Sequence, residues 1–215
     1  MFNFVPDFSH DMELNNKQLE IIAIAKALFA QNGFDATSVR DIAQRAQINV
    51  AMINYYFDSK ENLLEVLIKH GIEAYKLDAR KYETASDPFL RLAKMVEHYV
   101  DSKFSDLHLY QILTNEANSK KRASYATLFT ALRRHNIERL REVVVYGVEK
   151  GVFRFYDPVL LHTTMIGTFL NFKMNKSVME EFIDIPKGMS FEDYLKIELT
   201  KHLKYILKAI LTYEN

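Results

Sequence analysis

Apolar residues return every three or four positions along almost the whole of this chain, and residues that interrupt helices are rare. Six glycines and four prolines among 215 residues leave little room for the frequent turns of a sheet. A sustained 3.6-residue apolar period instead marks helices that bury one face. The fold class is therefore all-α. The absence of cysteine excludes disulfides, thiol chemistry and Cys-ligated zinc, and fits a reducing, cytoplasmic setting. The opening run "MFNFVPDFSHDMEL" lacks the basic start and unbroken apolar centre of a signal peptide, and residues 1–15 read as an N-terminal arm. The longest apolar run, "PVLLHTTMIGTFLNF" (158–172), is too short to span a bilayer and carries His162 and Asn171, so no membrane role is expected.

The period and the caps divide the chain. A first helix is expected over Asn16 to Gln31, burying Ile21, Ile22, Ala25, Leu28 and Phe29, with Gly33 as a left-handed stop. A short helix follows over Ser38 to Ala46, capped by Thr37 or Ser38, with Asp41 at box spacing from Ser38. After the break "QIN", a second short helix covers Val50 to Tyr56. Ser59 then caps a helix expected to run on to about Glu83, the connecting helix of 61–83. Asp87–Pro88, Ser105–Asp106, Asp157–Pro158 and Ser190 open four further segments, and a long helix is expected from about Lys120 to Lys150.

Two short helices joined by a tight break, with small Ala43 at their crossing and Ile42, Ile48 and Ile53 beside it, suit a helix-turn-helix in residues 16–60. Once Met52, Ile53 and Phe57 face inward, the second helix presents Asn49, Val50, Ala51, Asn54 and Tyr55 outward. Asparagine can pair with adenine, small apolar groups can touch a thymine methyl, and Arg40 is the candidate for guanine. Tyr55, Tyr56 and Lys60 are candidates for phosphate oxygens, and Thr37 and Ser38 are further DNA-binding candidates. The partner implied is double-stranded DNA. Formal net charge is zero, and the first sixty residues hold five Lys/Arg against seven Asp/Glu, so placement of charge rather than its sum must carry that contact. The bland alternative is a helical hairpin whose polar face is merely solvated.

The segment "TSVRDIAQRAQINVAMINYYFDSKENLL" (37–64) resembles the DNA-binding signature of tetracycline-repressor (TetR) family transcriptional regulators, through Thr37, Arg40, Ile42, Ala43, Ala46, Asn49, Tyr55, Phe57, Lys60, Glu61 and Leu63. "ALFAQNGFDATS" (27–38) is similar to that family's exit from its first helix, and "GVFRFYDP" (151–158) to its link into the penultimate helix. Gln47 departs from it, standing where the family usually has glycine. The residue costs about 1 kcal/mol if the turn needs a left-handed backbone. Asn54 stands where many members carry tyrosine.

The resemblance implies that residues 84–215 form a helical ligand-binding and dimerisation domain, taking a largely apolar small-molecule effector. Its candidate lining is Met95, His98, Tyr99, Tyr110, Phe129, Met165 and Phe169, with His135 and His162 as further polar candidates, although such residues equally suit a core. The candidate dimer face is Leu161, Met165, Phe169, Leu199, Leu203, Ile206 and Ile210. The implied function is a ligand-responsive repressor binding a palindromic operator as a homodimer. A helical ligand-binding or scaffold protein without DNA binding is the alternative. No H-E-x-x-H, G-x-S-x-G or P-loop occurs, so neither an enzyme nor a metal or cofactor is expected.

Overall fold

The computed structural model describes residues 14–117 and 123–212. Every regular element among them is helical: α1 (Asn16–Asn32), α2 (Val39–Arg45), α3 (Val50–Phe57), α4 (Lys60–Ile72), α5 (Pro88–Ser105), α6 (Leu107–Ala117), α7 (Ala123–Glu149), α8 (Pro158–Met174), α9 (Lys176–Phe182) and α10 (Phe191–Leu211), with 3₁₀ turns at Glu73–Tyr75 and Ala79–Lys81. Most of the arm and the expected start of the long helix at Lys120 lie outside the described residues.

The described residues divide into two units. One runs up to Tyr75 and includes Asp106–Leu132; the other is Lys76–Ser105 with Arg133 onward. In the first unit α1 presents Ile21, Ile22, Ala25, Leu28 and Phe29 to the core, as its period requires. Gly33 ends α1 at φ 82° and ψ 158°. That is the extended positive-φ region that glycine alone enters freely, rather than the left-handed helical stop expected. α6 packs on α1, with Gln111 Nε2 donating to the Ala30 carbonyl at 3.1 Å. Where α4 meets α6, a Cβ on Gly71 would fall 2.2 Å from Leu109 Cδ2, so only glycine permits the approach.

The connecting helix expected to reach Glu83 is a correction: α4 ends at Ile72. The backbone beyond it bonds to side chains instead of to its own preceding turn. Leu77 N–H donates to Asn136 Oδ1 at 2.9 Å, while His135 Nε2 lies 3.0 Å from the Leu77 carbonyl and His98 Nε2 3.2 Å from that of Lys76. These partners come from α5 and α7 in the second unit, and a satisfied backbone has no need to stay helical.

In the second unit α10 lays Phe191, Leu195, Leu199, Leu203, Leu207 and Leu211 inward and packs chiefly on α5. Arg154 closes its C-terminal end, its N–H donating to the Leu211 carbonyl at 2.8 Å and its Nε to that of Ile210 at 2.6 Å. That places a cation at the negative end of the helix dipole. Helix α9 was not foreseen from the sequence; no side chain caps it. No helix among the described residues is long and apolar enough to cross a membrane.

Candidate nucleic-acid interface

The first unit holds the helix-turn-helix in the order expected, α2, a turn, then α3. Ser38 and Asp41 form a reciprocal box at the start of α2: the Ser38 hydroxyl accepts from Asp41 N–H, and the Asp41 carboxylate accepts from Ser38 N–H at 2.8 Å and from its hydroxyl at 2.7 Å. Those donors hold the Asp41 carboxyl below its ordinary value. In the turn, Ile48 N–H donates to the Ala43 carbonyl at 3.0 Å. Gln47 takes φ 53°, the left-handed backbone that its position suggested and that a residue with a Cβ adopts at a cost. Ala43, Ile42 and Ile53 are buried at the crossing, and Phe57 beneath them, so α3 sits on a fixed base.

That base leaves an outward surface. Arg40 and Arg45 are exposed on α2, and Ala51, Asn54 and Tyr55 on α3, with Tyr55 80% exposed. Val50 is half-buried. Tyr56 is also half-buried, standing edge-on to Tyr55 at a centroid distance of 5.1 Å, so it props the more exposed ring rather than standing free.

Of the expected contacts, Thr37 is corrected, while Lys60 and Asn49 are partly engaged by hydrogen bonds within the protein. Thr37 is buried, its hydroxyl donating to the Gly33 carbonyl at 2.8 Å, and so it pins the loop before α2. Lys60 donates to the carbonyls of Phe34 at 2.9 Å and Thr37 at 2.8 Å, with its ammonium over the Phe34 ring; this leaves one of its three donors for any phosphate. Asn49 is exposed but caps α3, its Oδ1 accepting from Ala51 N–H at 2.9 Å. Bidentate pairing with adenine would share that oxygen with the cap, whereas exposed Asn54 is a candidate without that role. Ser38 is exposed, with its hydroxyl engaged in the cap.

Residues 21–76 match the family described as bacterial regulatory proteins, tetR family, and that stretch contains the whole of this surface. The helix-turn-helix of this chain is thus of the TetR-family type. Among curated relatives, it is 44% identical over 75 residues to the probable HTH-type transcriptional regulator YttP of Bacillus subtilis, a match spanning 35% of this chain and 34% of that one. It is 26% identical over 153 residues to the HTH-type transcriptional repressor KstR2 of Mycobacterium tuberculosis, covering 66% of this chain and 72% of the relative. Among solved structures, the TetR family regulator PfmR of Thermus thermophilus superposes with a TM-score of 0.66 at 23% identity, over 86% of this chain and 97% of that one. At that identity the superposition establishes the shared fold alone. This chain is a transcriptional regulator of the helix-turn-helix type.

The effector candidates of the chain are only partly brought together. Met95, Tyr99, Met165, Phe169 and His162 are buried in the second unit. Tyr110 and Phe129 belong to the first, where Tyr110 packs on Tyr75. His98 and His135 are occupied with the 76–77 backbone. Burial, then the nearby Lys81 ammonium, lowers the pKa of His98, keeping it neutral with Nε2–H toward the Lys76 carbonyl. Lys103 was missed, although it continues the Leu92–Met95–Tyr99 stripe of α5 at helical spacing.

The expected dimer face is corrected as well. Leu161, Met165, Phe169, Leu199 and Leu203 are buried inside the chain's own core and cannot meet a second copy. Ile206 and Ile210 remain half-buried. The exposed apolar residues of α8 and α10 are Val159, Leu160, Met174, Ile197 and Tyr205. Helix α8 is apolar on nearly every side, so its period could not say which side was spare.

Proposed function

We propose that this chain is a ligand-responsive repressor, acting in the cytoplasm as a homodimer on a palindromic operator. What carries the reading is the outward surface of Arg40, Ala51, Asn54 and Tyr55 on a capped and fully seated helix pair. Arg40 would take a guanine, Asn54 an adenine edge, Ala51 a thymine methyl, and Tyr55 a phosphate or the groove wall. Half-sites roughly 34–36 Å apart need two readers related by a two-fold axis. The spare apolar residues Val159, Leu160, Ile197 and Tyr205 on α8 and α10 are the face we assign to pairing. The alternative of a scaffold without DNA binding is not favoured, since the curated relatives are named as HTH-type regulators and repressors.

An effector held in the second unit would lower DNA affinity, and DNA would lower effector affinity by the same factor. The experiment is fluorescence anisotropy with duplexes from the region upstream of the gene. Asn54→Ala should weaken specific binding by about 1–3 kcal/mol, the scale of a base contact, and Tyr55→Ala should weaken binding more uniformly across sequences. Both residues are exposed, so stability should change by less than about 0.5 kcal/mol. Undiminished binding by both variants would remove this surface from the reading.

A further inference from the structure

Helix α4 begins by gripping both ends of the helix-turn-helix. Lys60, its first residue, donates through Nζ to the carbonyls of Phe34 at 2.9 Å and Thr37 at 2.8 Å, and its ammonium stands 4.2 Å from the centre of the Phe34 ring. Thr37 immediately precedes Ser38, the cap of α2. Two residues beyond Lys60, Asn62 Nδ2 donates at 2.9 Å to the carbonyl of Phe57, the last residue of α3. The same carbonyl accepts Ser59 N–H at 2.6 Å, which closes a three-residue turn on Asp58. Asp58 takes φ 63° and ψ −47°, close to the geometry of the rare γ-turn.

A residue with a Cβ persists in such a backbone only where its surroundings over-determine it. Here the Asn62 amide and the Ser59 cap on α4 supply that restraint. Lys60 places a cation at the positive end of the α4 dipole, and the two carbonyls offset that penalty. A charged donor also holds a carbonyl more strongly than a neutral one. Helices of seven and eight residues have little stability of their own, so α2 and α3 take their placement from what grips their ends. Base readout is intolerant of error in that placement, because hydrogen bonds weaken steeply outside a narrow range of distance and angle.

We propose that Lys60 and Asn62 are positioning residues of the DNA-reading surface. Lys60 sets the start of α2, Asn62 sets the end of α3, and both act on DNA through Arg40 and Asn54 rather than by taking phosphate. This deepens the DNA-reading proposal above and rests on it. Loss of either fastener costs discrimination between sequences, whereas loss of a phosphate ligand costs affinity for every sequence alike.

The test uses the full chain with two duplexes of equal length: one that the wild-type chain enriches from a random pool, and a scramble of it. Anisotropy is measured across a range of salt. Lys60→Met and Asn62→Ala should each lower affinity for the enriched duplex by about tenfold, the scale of one lost base contact, and leave the scramble bound as before. The slope of log affinity against log salt should be unchanged, since a lost phosphate contact would reduce it by about 0.9 for each copy bound. Lys60→Arg keeps charged donors for both carbonyls and should restore most of the preference. Without DNA, amide exchange read by mass spectrometry should rise by about tenfold at 34–38 in Lys60→Met and at 57–60 in Asn62→Ala. Circular dichroism checks that each variant is folded, and Lys60→Gln stands in should the methionine variant misfold. A reduced salt slope, or equal loss on both duplexes, makes Lys60 a phosphate ligand and overturns the proposal. An unchanged sequence preference overturns it as well, leaving the two residues as plain supports of the fold. If the wild-type chain enriches no sequence, the DNA-reading proposal fails by itself; unchanged amide exchange in both variants refutes the fastening independently of DNA.

Discussion

In the reader, Ser38, Asn49, Thr37 and Lys60 each bond to backbone groups of their own unit. In the α5–α8 core, Lys103 and His162 are buried among aromatic rings with like charge acting on them. The first arrangement fastens loops and helix ends, and the exposed groups left over are free to touch DNA. The second places titratable side chains inside an apolar core, where burial disfavours their charged forms. Polar side chains that shorten the list of unsatisfied backbone groups fasten the structure, whereas titratable groups inside a core tie its stability to pH.

The contrast can be broken most sharply by exchanging apolar loss for polar loss. Phe57→Ala removes a fully buried ring from beneath α3 and should destabilise the protein by about 3–5 kcal/mol in chemical denaturation. A change below about 1 kcal/mol would mean that the reader is not seated as described.

Acid and alkali sharpen the comparison on a smaller scale. His162 titrates near 4 in the fold against about 6.5 unfolded, so the unfolded chain takes up the proton first. Stability should therefore fall as pH drops from about 6.5 to 4, by up to about 1.4 kcal/mol per unit, and His162→Phe should flatten that limb. Lys103, near 7 in the fold against about 10.4 unfolded, adds stability as pH rises from 7 toward 10. Denaturation midpoints across the range check both signs. The smallest effect expected is Gln47→Gly, which relieves the left-handed backbone at φ 53° and should stabilise by about 1 kcal/mol at most. Loss of stability there would show that the glutamine side chain compensates for its strain.

Much of the reader was legible in advance because its signals are local. Ser38 and Asp41 lie three residues apart, Asn49 stands next to the helix it caps, and the buried set of α1 follows its period. The positive φ at Gln47 was suggested by the family resemblance, since the residue stands where that family usually has glycine. The errors came where a side chain had partners beyond its own helix. Lys60, expected at a phosphate, spends two of its three donors on the Phe34 and Thr37 carbonyls. His98 and His135 looked like effector contacts and instead hold the backbone that ends α4.

By itself the sequence determined the helical class, the helix-turn-helix and nearly every helix start, since caps and apolar periods act within one or two turns. Only the tertiary structure decided where α4 stops, which side of α8 and α10 remains for a second copy, and that Lys103 is buried. Those outcomes depend on contacts between residues far apart in the chain, and an amphipathic pattern specifies that a face is buried without specifying what covers it.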